Sequence, residues 1–337
     1  MNVLAGTRRI LIAGIALAVL APTAAAQEQG WTQIPIDVQR IEHFEIGSEE
    51  TRFGRLEFVG GLEMVSSSGE LGGMSGIRFE PGGTGFIGVM DTGKFFAGRI
   101  ERDDAGHLAG IETFAVSPMY GPEGAVIDEK WLVDAEGVAL QDDAILVSFE
   151  REHRVGVFDR AGWPTGPEAD TLDILIPEAE LRHNQGLETV AISPGDGPLE
   201  GSVVVVAEGS VNAEGDLFAA VLSGPEAGVF FVRQHEPYNV TDGTFLADGD
   251  LLLLERRFSI TGGIGMQIRR IEADDIRPGA TVDGPVLLEA DFGYQIDNME
   301  GIDAVAMDDG SISIFLASDD NHSFLQRNLL LEFRLTE

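Results

Sequence analysis

The sequence has no cysteine, which excludes disulfides and thiolate metal sites. It is also short of positive charge. Only 22 Lys and Arg stand against 57 Asp and Glu, a formal net charge of −35. Such a field repels nucleic acid and anionic lipid surfaces, so neither is expected as a partner. It favours cations that neutralise clustered carboxylates. The acid is spread along the chain rather than gathered in a tail, which argues against a disordered acidic segment. No G-x-S-x-G elbow, no Walker-type loop ending in G-K-S/T and no H-E-x-x-H is present, so three common hydrolase signatures are missing. No linker rich in Pro, Ser or charge divides the chain, so residues 27–337 read as one domain, expected to be a monomer.

The N-terminus reads as an export signal, residues 1–26. Arg8-Arg9 precedes the apolar run Ile10 to Leu20, and Ala24-Ala25-Ala26 forms a small-residue cleavage site. The run is shorter than the roughly 20 residues a membrane span needs. Thr7-Arg8-Arg9-Ile10-Leu11 resembles a twin-arginine signal, with the general secretory route as the alternative. The expectation is a periplasmic or secreted bacterial protein with no membrane span in the mature chain.

Beyond Gln27 the pattern is β. Runs such as "AILVSF", "SVVVVAE", "DLLLLER" and "SISIFLA" are short, apolar and bounded by Gly, Asp and Pro, the signature of buried strands. A single short helix is expected around Pro177 to Arg182. The 43 glycines suit many tight turns. Five units repeat, beginning at Gly72, Val133, His183, Tyr238 and Ile296. Each has an acidic or polar lead-in, a strand, a Gly/Asp turn, a second strand and an acidic exit. The exits are Asp91, Glu150, Glu208, Glu255 and Asp319. A period of roughly 50–60 residues built from β-hairpins predicts an all-β fold, a single β-propeller. Six blades are favoured, with a weaker sixth unit between the others or made by joining the chain ends; five and seven are the alternatives. Two unrelated β-sandwiches would explain the strands but not the repeated acids.

Glu136, Glu188 and Glu300 fall at one lead-in position, with Ser75 and Asp242 read as their equivalents. Because the first strand of each blade lines the channel, these residues and the exits should converge at one end of it. An all-oxygen donor set favours Ca²⁺. The expected metal ligands are Asp134, Glu136, Glu150, Glu188, Glu208, Glu255, Asp297, Glu300, Asp319 and Asp320. Arginines beside the exits suit phosphate or carboxylate oxygens. Expected substrate contacts are therefore Arg151, Arg154, Arg256, Arg257 and Arg327, with Asn184, Asn298 and Asn321. Glu136, Glu188, Glu300 and His153 are the candidate catalytic groups. Each single copy also reads as an ordinary turn or ion pair, and His153 as a structural histidine.

Four ordered motifs, "EGVAL…ILVSFEREHRV", "NQGLETVAI", "LADGDLLLLERRFS…G…QIRRI" and "IDNMEGIDAV…LASDDNHSFLQRNLLLEF", resemble the phytase-like "esterase-like activity of phytase" family over roughly Phe53 to Leu335. His322 and Leu325-Gln326-Arg327-Asn328 depart from its usual Phe and Gln-Arg-Thr. The resemblance implies a β-propeller rich in Glu and Asp with a phosphoesterase or esterase role. The expectation is an exported hydrolase acting on a small anionic, phosphate-containing ester with Ca²⁺ as the only cofactor. A non-enzymatic binding propeller, and a carboxylic ester or lactone hydrolase, are the alternatives.

Overall fold

The computed structural model describes residues 30–127, 129–259 and 262–336. The export-signal reading falls outside them. None of their helices is long and apolar enough to cross a membrane. The short helix expected near Pro177 is a 3-10 turn, Glu178–Glu180.

The described strands form five sheets, the five blades of a propeller. Their innermost strands are Met74–Phe79, Ala135–Leu140, Leu187–Ile192, Asn239–Phe245 and Asn298–Ala306, in blades 1 to 5. Each inner strand lies against the next, and the fifth against the first, closing a ring. Five blades correspond to the five repeats. Among the described residues no sixth blade arises, because the N-terminal strands join existing blades: Thr32–Gln33 pairs at the outer edge of blade 1, and the strands after it enter the last blade. Leu56–Val65 pairs antiparallel with Asn328–Leu335, and Asp37–Ile41 pairs with its far edge. The first and last parts of the chain thus share one sheet, which closes the ring.

The blades stack because their strands are apolar on both faces. Ala144–Phe149 is buried at every position. Five core clusters fill the gaps between neighbours. Between blades 4 and 5, for example, Leu252, Leu254, Met266 and Ile268 meet Ile302, Ile314, Leu316 and Leu331. At about 25 cal/mol per Å² of buried apolar surface, these clusters dominate the favourable side of folding.

Two features of the inner ring shape the channel it encloses. First, every inner strand bulges against its partner at the same level. The residues without a partner are Ser75, Glu136, Glu188, Thr241 and Glu300. A bulge re-aims the extra side chain, and here all five lie at one end of the channel. The strands approach so closely there that Gly137 cannot carry a side chain: an added Cβ would sit 2.4 Å from the Glu188 carbonyl oxygen. Second, a buried arginine spans the channel below the bulges. Arg78 makes a two-pronged contact with Asp242 at 2.7 and 2.9 Å. It also donates to the carbonyls of Ile77, Val190, Gly243 and Ile302, which belong to four different blades.

Candidate functional site

Above the Arg78–Asp242 pair the inner ring opens into a cavity of about 230 Å³. Its lining gathers Asp91, Glu136, Glu150, Glu188, Glu208, Glu300 and Asp319 around a single arginine, Arg256, with Ser75, Asn184 and Asn321. Three of the carboxylates come from bulges. The others, and Arg256, come from the second strands or, for Asp91 and Glu150, the residue just past them, where chain register places them level with the bulges. Asp91 and Glu150 hydrogen-bond through their backbone N–H to Gly73 and Asp134, Glu208 to Gly186. Arg256 stands opposite Asn239, and Asp319 opposite Asn298. The exit ring is therefore four acids and one arginine.

That register corrects two sequence alignments in blade 4. Its bulged residue is Thr241, not Asp242, and its exit residue is Arg256, not Glu255. Asp242 points its charge at Arg78 in the channel. Glu255 is buried away from the cavity, bound by Arg269 and Gln267. A carboxylate already neutralised by a fully buried arginine has little left for a metal.

So many acids in one partly closed space cannot all ionise freely. Burial, and then their mutual repulsion, pushes Glu136 and Glu188 well above the usual carboxylate range. Burial, reinforced by Glu208 and Asp134, raises Glu150 to about 7. Burial likewise raises Glu300 to about 7, against the pull of Arg256, and Asp319 to about 6. Glu208 and Asp134 are raised for the same first reason. Arg256 is held more firmly protonated, chiefly by Glu300.

The donor set matches a hard divalent cation. Carboxylate oxygens of Asp134, Glu136 and Glu150 all lie within 4.8 Å of one another, and so do those of Glu150, Glu188 and Glu208. Asp91 Oδ1 and Arg256 Nε are buried without a hydrogen-bond partner among the described residues. Glu300 stands outside both triads. It lies 3.3 Å from Arg256 and accepts from Asn298, whose other end accepts from Arg256. Asp319 has a second duty: it accepts the backbone N–H groups of Gly73 and Met74, tying blade 5 to blade 1.

Several expected site residues lie elsewhere. Arg154 is clamped on Glu168 at 3.1 and 3.2 Å with its guanidinium 3.8 Å over the Phe149 ring. Arg327 donates to Gln295 and the Ile296 carbonyl, with Asp297 3.6 Å away. Asp297 also caps the Asn298 N–H. Asp320 orders its own loop through Asn328 and the His322 N–H. His153 abuts Gly186, and burial followed by His183 pushes its pKa below the usual value. Arg257 bonds Tyr238 and the Gly262 carbonyl, outside the cavity. Arg151 sits at the rim, 2.7 Å from Asp134, joined there by Lys130, 2.9 Å from Asp91. Sequence reasoning does not single out Lys130 or Arg78. The signal for Arg78 is a lone arginine inside the apolar strand "MSGIRF".

The family model described as "Phytase-like: Esterase-like activity of phytase" matches residues 69–322. No curated protein matches the chain. Among solved structures, an endo-arabinase from Bacteroides thetaiotaomicron VPI-5482 is similar at 12% identity and a TM-score of 0.43, covering 78% of this chain and 94% of that one.

Proposed function

The chain belongs to the phytase-like family, and from that premise we propose that it is an exported hydrolase of phosphate esters, mono- or diesters, working in the carboxylate cavity with hard divalent cations, Ca²⁺ foremost. One observation carries the reading: seven carboxylates surround one arginine in a cavity of about 230 Å³. Such an excess needs cations, and bound cations in turn favour an anionic substrate.

Asp134, Glu136, Glu150, Glu188 and Glu208 would hold the cations, which when bound neutralise these acids and polarise a phosphoryl oxygen. The chain's own groups supply the rest. Arg256, aligned by Asn298 and Glu300, binds an oxygen of the phosphoryl group as a planar donor. Glu300, free of the triads, is pushed upward first by burial, which cations held in the triads leave in place, so it keeps a proton more readily than an ordinary carboxyl. It gives that proton to the ester oxygen as the P–O bond breaks, while a water oxygen bonds to phosphorus and loses a proton to a neighbouring carboxylate. Alcohol and phosphate leave, the neighbouring carboxylate releases its proton to solvent, and Glu300 takes one up, which restores both groups. Lys130 and Arg151 at the rim offset part of the negative field that an approaching anion meets.

The test is turnover of 4-nitrophenyl phosphate by the purified protein. EDTA should abolish it and Ca²⁺ restore it, and Glu300→Gln should lower kcat while leaving the melting temperature in the native range. Turnover indifferent to EDTA excludes the metal role. No turnover of any phosphate ester with Ca²⁺ present returns the protein to the binding-propeller alternative, which the Asp319 link between blades 5 and 1 favours.

A further inference from the structure

Large apolar side chains stand in solvent beside the acidic mouth. Phe258 is 74% exposed and Leu325 77%. Both line a second cavity of about 510 Å³, walled also by Ile264. The hairpin carrying Phe258 belongs to blade 4, and the loop carrying Leu325 follows the second strand of blade 5. Exposed apolar walls around a concave space usually mark a place where something binds.

What binds is indicated by continuity. Arg256 and Asn321 line both this groove and the carboxylate cavity. A molecule held by Arg256 can therefore extend along Phe258 and Leu325. Asn321 marks the junction. It and His322 are consecutive non-glycine residues in the left-handed region, φ 48° and 50°, a conformation that costs free energy and persists where its surroundings fix it. Asp320 does the fixing, accepting the His322 N–H at 2.9 Å and the Asn328 side chain at 2.8 Å. Arg257, the groove's other charged donor, is already engaged by Tyr238 and Gly262, each at 3.0 Å. Asp297, Asn298, Ser323 and Gln326 complete the lining; Asp297 is engaged by Arg327 and Asn298 by Arg256, so the large open surfaces are the hydrocarbon of Phe258 and Leu325.

We propose that this groove is the subsite for the alcohol portion of the substrate, and that this portion is apolar, an aryl or alkyl group rather than a polyhydroxylated ring. The inference rests on the phosphate-ester reading and narrows its substrate class. It predicts selectivity that the acidic cavity alone would not give, because a hydrocarbon contributes to binding only where it is removed from water.

The experiment compares phenyl phosphate with 4-butylphenyl phosphate in the Ca²⁺-supplied protein. The two phenols have nearly equal acidity, so the ratio of kcat/KM reports contact with the chain rather than leaving-group chemistry. The butyl ester should be preferred by about tenfold: each fully buried methylene is worth roughly fourfold, and an open groove removes only part of the four added carbons from water. Phe258→Ser combined with Leu325→Ser, at positions too exposed to endanger folding, should bring that ratio to about one. Turnover of both esters at equal kcat/KM by the unaltered protein overturns the subsite and leaves the phosphate reading intact; Phe258 and Leu325 would then face another macromolecule. A preference that survives the double substitution also overturns it. Failure to hydrolyse either ester overturns the phosphate reading itself, and the subsite with it.

Discussion

A cavity lined by crowded carboxylates should make the metal-free protein less stable as the pH rises, the reverse of a protein whose acids are paired. Glu150 and Glu300 carry the effect most clearly. Both are raised from 4.5 to about 7, and their side chains are little exposed, 14% for Glu300. In the folded chain they bind protons more tightly than in the unfolded chain. Below about pH 4.5 both states are protonated and the folded state bears no penalty; from there up to about 7 the unfolded chain releases these protons while the folded chain still holds them, so stability falls as the pH rises. Each such shift is worth on the order of 3 kcal/mol, and coupling between neighbours makes the joint effect about 5 kcal/mol at most. For a domain of this size that is a fall of roughly 10 °C in Tm from about pH 5 to pH 8. The assay is thermal unfolding followed by tryptophan fluorescence in EDTA across that range, repeated with millimolar Ca²⁺. A cation at about 100 times its Kd restores about 2.7 kcal/mol, or roughly 5 °C near pH 8, and little near pH 5 where protons compete for the same oxygens. Glu300→Gln should flatten the metal-free slope, separating the cavity from the protein's general negative charge. A Tm in EDTA that rises or stays level over this window, or a Ca²⁺ effect no larger than that of NaCl at equal ionic strength, would refute the reasoning.

Other outcomes are set by the same geometry. Arg256→Met should lower kcat/KM for a phosphate ester by about 10²–10³, the usual loss of one preorganised donor, with folding verified by circular dichroism. Arg78→Met strands Asp242 and four carbonyls in the channel; it should cost about 3–5 kcal/mol in urea unfolding, and a change under about 1 kcal/mol would mean the hub is dispensable. Glu255→Gln should weaken the blade 4 pair with Arg269 and lower stability by about 1–3 kcal/mol, while its kcat/KM at a temperature where it is folded matches the unaltered protein; loss of Ca²⁺ dependence instead would restore Glu255 to the metal site.

The legible and the hidden parts of this sequence divide along one physical line. Hairpin repeats show because a strand buried on both faces must be a short apolar run and its turn must carry Gly or Asp. "AILVSF" and "SISIFLA" announce themselves in this way, and the acids flanking them are conspicuous against such runs. Fixing which acid faces the channel needs register, and register here depends on a one-residue bulge in each inner strand. Where a glycine follows the bulged residue, as Gly137 follows Glu136 and Gly301 follows Glu300, the alignment is visible, because the close approach of neighbouring strands selects that glycine. Blade 4 reads Thr241-Asp242-Gly243, so the glycine lies one place late, and alignment by glycine shifts Asp242 into the bulge. Period-2 geometry then does the rest: a slip of one residue exchanges the two faces of a strand, so Arg256 belongs in the cavity and Glu255 in the core. The same slip hides the role of Arg78. Its partner is Asp242, and an aspartate assigned to the acidic ring is unavailable to neutralise a buried arginine deeper in the channel. Blade number had a different cause. Leu56–Val65 is a strand without a repeat of its own, since its partner Asn328–Leu335 lies at the other end of the chain. Only a non-local pairing of that kind could turn a surplus N-terminal strand into the closure of the fifth blade, and local pattern carries no information about it.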